Sequence, residues 1–304
     1  MIELIATAES IEQAEALINV GIDTLYVGED RFGLRLPASF SQAELKEITD
    51  LAHRNQKKVC VAMNAIMHND RIKLVLPYME FLQDIGVNSI TVGDPGVIHL
   101  LKTNQLNLSY IYDPHTMITS GKQVNFWANR GAVGAVLARE LTYEELTAIA
   151  AEAMVPVEVL VYGATCIHHS KRPLVTNYFN FTKVQRTENN DLYLSEPKKP
   201  DTHYSIYEDT NGTHIFNTGD INLLPHLETL YHANLKRWKL DGIFTPRESF
   251  VQIASLFIKA KEALINDNWS PSLIESLNEQ IWKLHPQQRS LDEGFFLKDP
   301  DEIK

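Results

Sequence analysis

Short apolar runs alternate with amphipathic ones from the first residues onward. "IELIATA" has the β-branched, mostly apolar character of a buried strand. "SIEQAEALINVG" then repeats its apolar residues at helical spacing, with Ser10 as N-cap, Gln13 in the capping-box position and Gly21 as a stop. "DTLYVG" predicts a second strand, "SFSQAELKEITDLAHRNQKK" a second helix and "VCVAMNAI" a third strand. The pattern continues through the helix "NDRIKLVLPYMEFLQDIG", which contains Pro77, the strand "SITVGD" and the helix "PGVIHLLKTN", which starts on a proline. "LSYIYD", "SGKQVNFWANRG", "AVGAVLA", "TYEELTAIAAEA" with Thr142 and Glu145 as a capping box, and "VEVLVYG" complete seven strands in βα order.

An eighth strand, "LKRWKLDGI", comes only after a long interruption, and the amphipathic helix "RESFVQIASLFIKAKEALIND" follows it. Eight βα units with a repeat of roughly 30 residues predict a single α/β domain over 1–304, a (β/α)₈ TIM-like barrel. An insertion follows strand seven, over about 163–234, and a tail occupies about 285–304, packing through Phe295 and Phe296. A doubly wound sheet is the alternative, but no GxGxxG follows the first strand. The insertion is polar and predicts hairpin pieces around Asn211-Gly212, and its length suits either a lid or docking element or a solvated surface elaboration.

Composition narrows the functional classes. A net charge of −11 over 304 residues argues against a nucleic-acid coat or membrane-surface protein, so contact with RNA requires a local basic patch. "MIELIATAES" is unlike a signal peptide and no apolar run is long enough for a membrane helix, which makes a cytoplasmic protein the expectation. Two cysteines, Cys60 and Cys166, exclude a disulfide framework and any four-cysteine metal site within the chain.

Barrel enzymes carry their chemistry at the C-terminal ends of the strands. Those positions hold Glu29 and Arg35, then Asn64 and His68, Asp94, then Asp113, His115 and Thr116, then Arg139 and Glu140, and lastly Asp241. Strand seven leads into Tyr162, Cys166, His168, His169, Lys171 and Arg172. Adjacent His168 and His169 point opposite ways in an extended segment and have no HExxH or nearby carboxylate, so no metal site is expected. Cys166 and His168 are the candidates for a nucleophile and its base, but a lone cysteine beside a histidine fits a packed or ligand-contacting thiol better. From Tyr162 to Thr187 there is no acidic residue, while Lys171, Arg172, Lys183 and Arg186 all fall there with Tyr178, Phe179 and Phe181. That window predicts either an anion-contacting, ring-stacking loop or a basic loop that pairs with the acidic body.

The ordered segments "LYVGEDRFGLR", "VAMNAIMHNDRI", "VGDPGVI", "VLARELTYEE", "GATCIHHSKRPLVTNYFN", "YEDTNGTHIFN" and "RWKLDGI" resemble the collagenase-like U32 peptidase family across nearly the whole chain. The family signature near strand seven is matched at Glu158, Gly163, Ala164, Cys166 and Ser170, but Lys171 replaces a glycine and Pro173 a second cysteine. That departure is similar to the short members that lack the cluster cysteines. The resemblance implies a subunit of prephenate-dependent tRNA wobble-uridine hydroxylation, giving 5-hydroxyuridine. It further implies a longer, cysteine-complete paralogue as partner, with the iron–sulfur cluster in that partner and none in this chain. The substrate-binding candidates are then Arg35, Asn64, His68, His115, Arg139, Glu140, Tyr162, Lys171, Arg172, Asn177 and Tyr178, for tRNA or a small anion such as prephenate. The family name carries the alternatives of a peptidase and of a non-catalytic scaffold.

Overall fold

In the computed structural model, which describes residues 1–114, 118–184 and 192–299, the alternation of the first half becomes alternating strands and helices. They run β1 (Glu3–Thr7), α1 (Ile11–Val20), β2 (Thr24–Gly28), α2 (Gln42–Arg54), β3 (Lys58–Met63), α3 (Ile72–Asp84) and β4 (Ser89–Val92). Next come α4 (Pro95–Thr103), β5 (Tyr110–Tyr112), α5 (Gly121–Ala128), β6 (Ala132–Val136), α6 (Tyr143–Glu152) and β7 (Val157–Ser170). The rest comprises α7 (Leu174–Thr182), β8 (Leu192–Glu196), β9 (Lys199–Asp209), β10 (Gly212–Asn222), α8 (Leu227–His232), β11 (Arg237–Leu240), α9 (Arg247–Ile265), α10 (Pro271–Leu284) and β12 (Ser290–Asp292).

Local start signals act where the spacing places them. Ser41 with Glu44 and Thr142 with Glu145 form reciprocal capping boxes, each satisfying amide donors that the helix itself leaves open. Losing such a cap costs about 1 kcal/mol. Ser10 accepts the Gln13 N–H at 3.1 Å, but the Gln13 side chain takes the N–H of Glu9, at 2.8 Å, and so no reciprocal box forms there.

Parallel neighbours β1 to β7 follow one another in order, and β11 pairs with both β1 (Glu3↔Arg237) and β7 (Arg237↔Glu158). The eight strands therefore close into a (β/α)₈ barrel with no free edge. Alternate residues face opposite ways: Leu4, Val27, Val59 and Ile90 pack outward against Leu17, Leu45, Met79 and Phe257 of the helices. Ile5, Tyr26, Cys60, Ala62 and Ile111 form a separate small cluster inside the barrel. Truncating a leucine of the outer layer to alanine costs about 2–5 kcal/mol.

β7 outlives the barrel. It is buried from Val157 to Ala164, then continues half exposed to Ser170 as the base of an antiparallel sheet with β10, β9 and β8. Gly163 marks the change: its φ is +121°, and a side chain there would collide with the backbone of Asp241. The register sets His214 opposite His169 and Phe216 opposite Cys166. The β9–β10 turn, Thr210-Asn211 followed by Gly212 at φ +115°, is tied down over the barrel mouth. Asn211 Nδ2 donates to Asp30 O at 2.7 Å, and Arg71 donates to Asn211 Oδ1 at 2.6 Å and to Thr210 O at 2.7 Å. In the tail, β12 pairs with β10, Phe296 is buried against Tyr143 and His226, and Phe295 is half buried. Among the described residues no helix is long and apolar enough to cross a membrane.

Candidate functional site

The strand ends and the appended sheet enclose a blind pocket at the barrel mouth. Arg35, Arg139 and Lys239 bring positive charge to it, and Asp113, Glu140, Glu158 and Asp241 bring negative charge. Tyr26, Asn64, Thr165 and Cys166 add neutral polar groups, and Leu34, Ile118, Val136 and Leu160 add apolar wall.

Its floor is a buried charged pair. Lys239 Nζ lies 3.8 Å from Glu158 Oε1 and 2.9 Å from the centre of the Tyr26 ring. Burial pulls the lysine below its ordinary range, against the opposing pull of Glu158 and Asp241. Glu158 Oε1 is itself buried without a hydrogen-bond donor, leaving an acceptor for a ligand at the floor. Above it, Asn64 Oδ1 accepts from Leu34 N–H at 2.9 Å, which orients the amide so that Nδ2 donates to Asp113 Oδ2 at 2.7 Å and to the Tyr26 hydroxyl at 3.2 Å. Arg139 donates to Ala164 O at 2.6 Å and stands 3.7 Å from Asp241 Oδ2, which fixes its guanidinium across the pocket wall.

At the rim, β7, β10 and the end of β9 carry Cys166, His214 and Asp209 respectively. His214 is fully buried, its Nε2 is 3.0 Å from Asp209 Oδ1, and its ring is stacked on that of His169 with centres 4.6 Å apart. An Nε2–H donated to Asp209 leaves Nδ1 as a buried bare base without a hydrogen-bond partner, and the β7–β10 register, with Cys166 opposite Phe216 and His169 opposite His214, brings the Cys166 thiol to the same end of the sheet. In its neutral form the thiol donates to His168 O at 3.3 Å. Burial pushes the Cys166 thiol up, but the His214 hydrogen bond and the Arg35 charge outweigh it and hold the thiol below its ordinary range. Burial likewise pushes His214 down, and Asp209 and Cys166 together raise it. For Asp209 burial acts upward, and the contact with His214 brings the carboxyl below its usual range. A cysteine, a base and an orienting carboxylate in this order can generate a nucleophilic thiolate.

Of the residues expected at the site, Arg35, Asn64, Arg139, Glu140 and Cys166 line the pocket. Tyr162 faces the helix layer, its hydroxyl 2.8 Å from His285 Nδ1 and 3.1 Å from Thr245 Oγ1. The reason is a register shift between β7 and β11: Lys239 pairs with Leu160 but Leu240 with Tyr162, and the extra residue reverses the alternation. His68 is exposed at the turn into α3, and the His168 side chain is exposed rather than set against Cys166. Lys171 is tied to Thr210 O at 3.0 Å, and Arg172, Asn177 and Tyr178 face solvent on and before α7. The described basic and aromatic part of the window, from Lys171 to Lys183, is thus an outer surface and not a pocket wall, and Arg186 lies outside the described residues. His115 lies outside the described residues. Lys239, Tyr26, His214 and Asp209 were not singled out from the sequence. The alternation of Arg237 and Lys239 with Trp238 and Leu240 marks a barrel strand with a charged inner face, and it was the available signal for Lys239.

The thiols do not fit an iron–sulfur cluster, which takes four such ligands. The chain has two cysteines, and Cys60 lies in the barrel interior, where burial pushes it up to about 11. Among the described residues no three His, Cys, Asp or Glu side chains converge as a metal site, and the rim trio is a row of pairwise contacts.

Comparison with known proteins adds a lineage to this geometry. The family model of peptidase family U32 matches residues 9–304. tRNA hydroxylation protein P2 of Bacillus subtilis (strain 168) is 33% identical over 302 residues, covering 98% of each chain. tRNA hydroxylation protein P1 of the same strain is 23% identical over 273 residues, 87% of this chain and 64% of that one. A 23S rRNA 5-hydroxycytidine synthase of Escherichia coli (strain K12) is 25% identical over 272 residues, 88% of this chain and 40% of that one.

Proposed function

The chain belongs to peptidase family U32, and from that premise we propose that it is a cytoplasmic subunit of a tRNA wobble-uridine hydroxylation system that forms 5-hydroxyuridine. The observation that carries this reading is the full-length similarity to a tRNA hydroxylation protein, 33% identity over 98% of both chains. The pocket supports it. Arg35 and Arg139 offer guanidinium groups for the carboxylates of a small anion such as prephenate, while the carboxylates of Asp113 and Glu158 can accept from its hydroxyl. A single cysteine at the mouth agrees with a cluster held by a longer, cysteine-complete paralogue. Two related hydroxylation proteins, P1 and P2, occur in one Bacillus strain, as a paired system requires.

The test is mass spectrometry of tRNA nucleosides from a deletion strain freed of other hydroxylation routes. 5-Hydroxyuridine and its derivatives are expected to vanish, to return with the intact gene and to stay absent with Arg139→Ala. An unchanged nucleoside profile in the deletion strain rejects the reading.

A second reading, collagenase-like peptidase activity, is favoured by the Cys166–His214–Asp209 row. Cleavage of a collagen-derived peptide by the purified chain, lost on Cys166→Ala, would establish it, and an intact peptide would dismiss it.

A further inference from the structure

The pocket of charged groups does not by itself use the thiol on its rim. Cys166 lines the mouth, and behind it a fully buried imidazole presents a bare Nδ1 whose opposite nitrogen is held by Asp209 at 3.0 Å. A cluster ligand would need three further thiolates, and a packing cysteine would need no oriented base. The pocket, set in the mouth of a closed barrel and floored by Lys239, Glu158 and the Tyr26 ring, suits one planar group entering end-on rather than a peptide crossing a cleft.

Resting on the RNA-hydroxylation reading above, we propose that Cys166 is a catalytic nucleophile that adds to C6 of the pyrimidine being modified, with His214 as its base and Asp209 as the positioning residue. C5 of a pyrimidine is a poor nucleophile while the C5–C6 double bond is intact. His214 Nδ1 takes the thiol proton, the sulfur bonds to C6, and the π pair of C5–C6 moves onto C5 and O4 as an enolate. Nothing is oxidised or reduced in this step. Reversal expels the thiolate, and His214 returns the proton to sulfur. The enolate places an electron pair on C5, the carbon that the hydroxylation reading has modified, and its charge is offset by Arg35 and Arg139 of the same pocket. The barrel thus holds the anion site and the appended sheet supplies the activation of the base, which explains why β10 is pinned across the mouth through Asn211 and Arg71.

The experiment feeds 5-fluorouracil to cells that make the tagged full-length chain together with its partners, so that RNA carries 5-fluorouridine. Fluorine at C5 blocks the loss of a proton there that would otherwise release the enzyme after modification. The chain is captured, treated with nuclease and protease, and analysed by mass spectrometry. A pyrimidine nucleotide bonded to the Cys166 peptide is expected, with its fluorine or, where oxygen has been added at C5, with that fluorine lost as HF; it is absent in Cys166→Ala and reduced at least tenfold in His214→Gln. Asp209→Asn, which keeps the buried ring in place, gives a smaller loss and serves if His214→Gln does not fold. An unmodified Cys166 peptide, in cells whose 5-hydroxyuridine depends on the chain, overturns the nucleophile while leaving the hydroxylation reading intact. 5-Hydroxyuridine that does not depend on the chain at all removes the reading itself. An adduct on Cys166 with a peptide rather than a nucleotide overturns the proposal in favour of acyl chemistry.

Discussion

Cys60 and Cys166 are the same side chain in two parts of one molecule. Cys60 sits on β3 inside the closed barrel against Ile5, Tyr26 and Ala62, and burial drives its thiol up to about 11. Cys166 sits on β7 beyond the barrel, where burial also acts upward, yet His214 and Arg35 reverse the outcome. Around Cys60 the pull of Ser89, Lys239 and Arg237 is met by Glu158 and does not overcome burial, so burial decides the state of that thiol. The barrel provides an inert interior and a rigid mouth, and the inserted sheet provides the partner. Neither region alone makes a reactive site.

The largest expected difference is in alkylation. At pH 7 iodoacetamide should modify Cys166 at least ~100-fold faster than Cys60, since a thiol near 11 is almost wholly protonated there. Peptide mass spectrometry on the folded chain reads both sites, and equal rates would erase the comparison. Next, His214→Gln removes the group that lowers Cys166, so its alkylation at pH 7 should slow about tenfold for each unit by which the thiol rises. Cys60 should not respond.

Stability should divide the two cysteines the other way. Cys60→Ser exchanges a thiol for a smaller, more polar hydroxyl in the buried barrel interior and should cost about 1–3 kcal/mol in denaturant unfolding, whereas Cys166→Ser at the rim should stay within about 0.5 kcal/mol. The smallest effect is a pH dependence. Asp209 is lowered in the fold, so its contribution is present above the ordinary carboxylate range and lost as pH falls through its lowered value. His214 is raised, so its contribution is full below the ordinary imidazole range and lost as pH rises through its raised value. The advantage of the native chain over Asp209→Asn should therefore be greatest at about pH 5–6 and narrow on both sides. Melting curves across pH check it, and an advantage that grows steadily with pH would contradict the assignment.

What was legible in the sequence was what local chemistry fixes. Ser41 with Glu44 and Thr142 with Glu145 announce their helices, and "VCVAM" announces a strand, because each signal lies within a few residues. The barrel followed from counting such units, and Arg35, Asn64 and Arg139 from reading strand ends. The row at Cys166 was not legible, since its base lies on another strand and only the β7–β10 register brings the two together. His168, next but one in the chain, drew the eye, but its side chain is exposed. Tyr162 was misread for a related reason: the register shift that turns it outward belongs to the pairing of β7 with β11 and has no trace in "VLVYG". Gly163 looked like a strand end, yet its positive φ lets the strand bend and continue.

The central claim is that Cys166 and the pocket it borders serve RNA hydroxylation while Cys60 only fills the barrel. The direct measurement is the 5-hydroxyuridine content of tRNA in a deletion strain carrying Cys60→Ala or Cys166→Ala at matched protein levels. Cys60→Ala should restore the nucleoside and Cys166→Ala should leave it absent. Full restoration by Cys166→Ala would contradict the account.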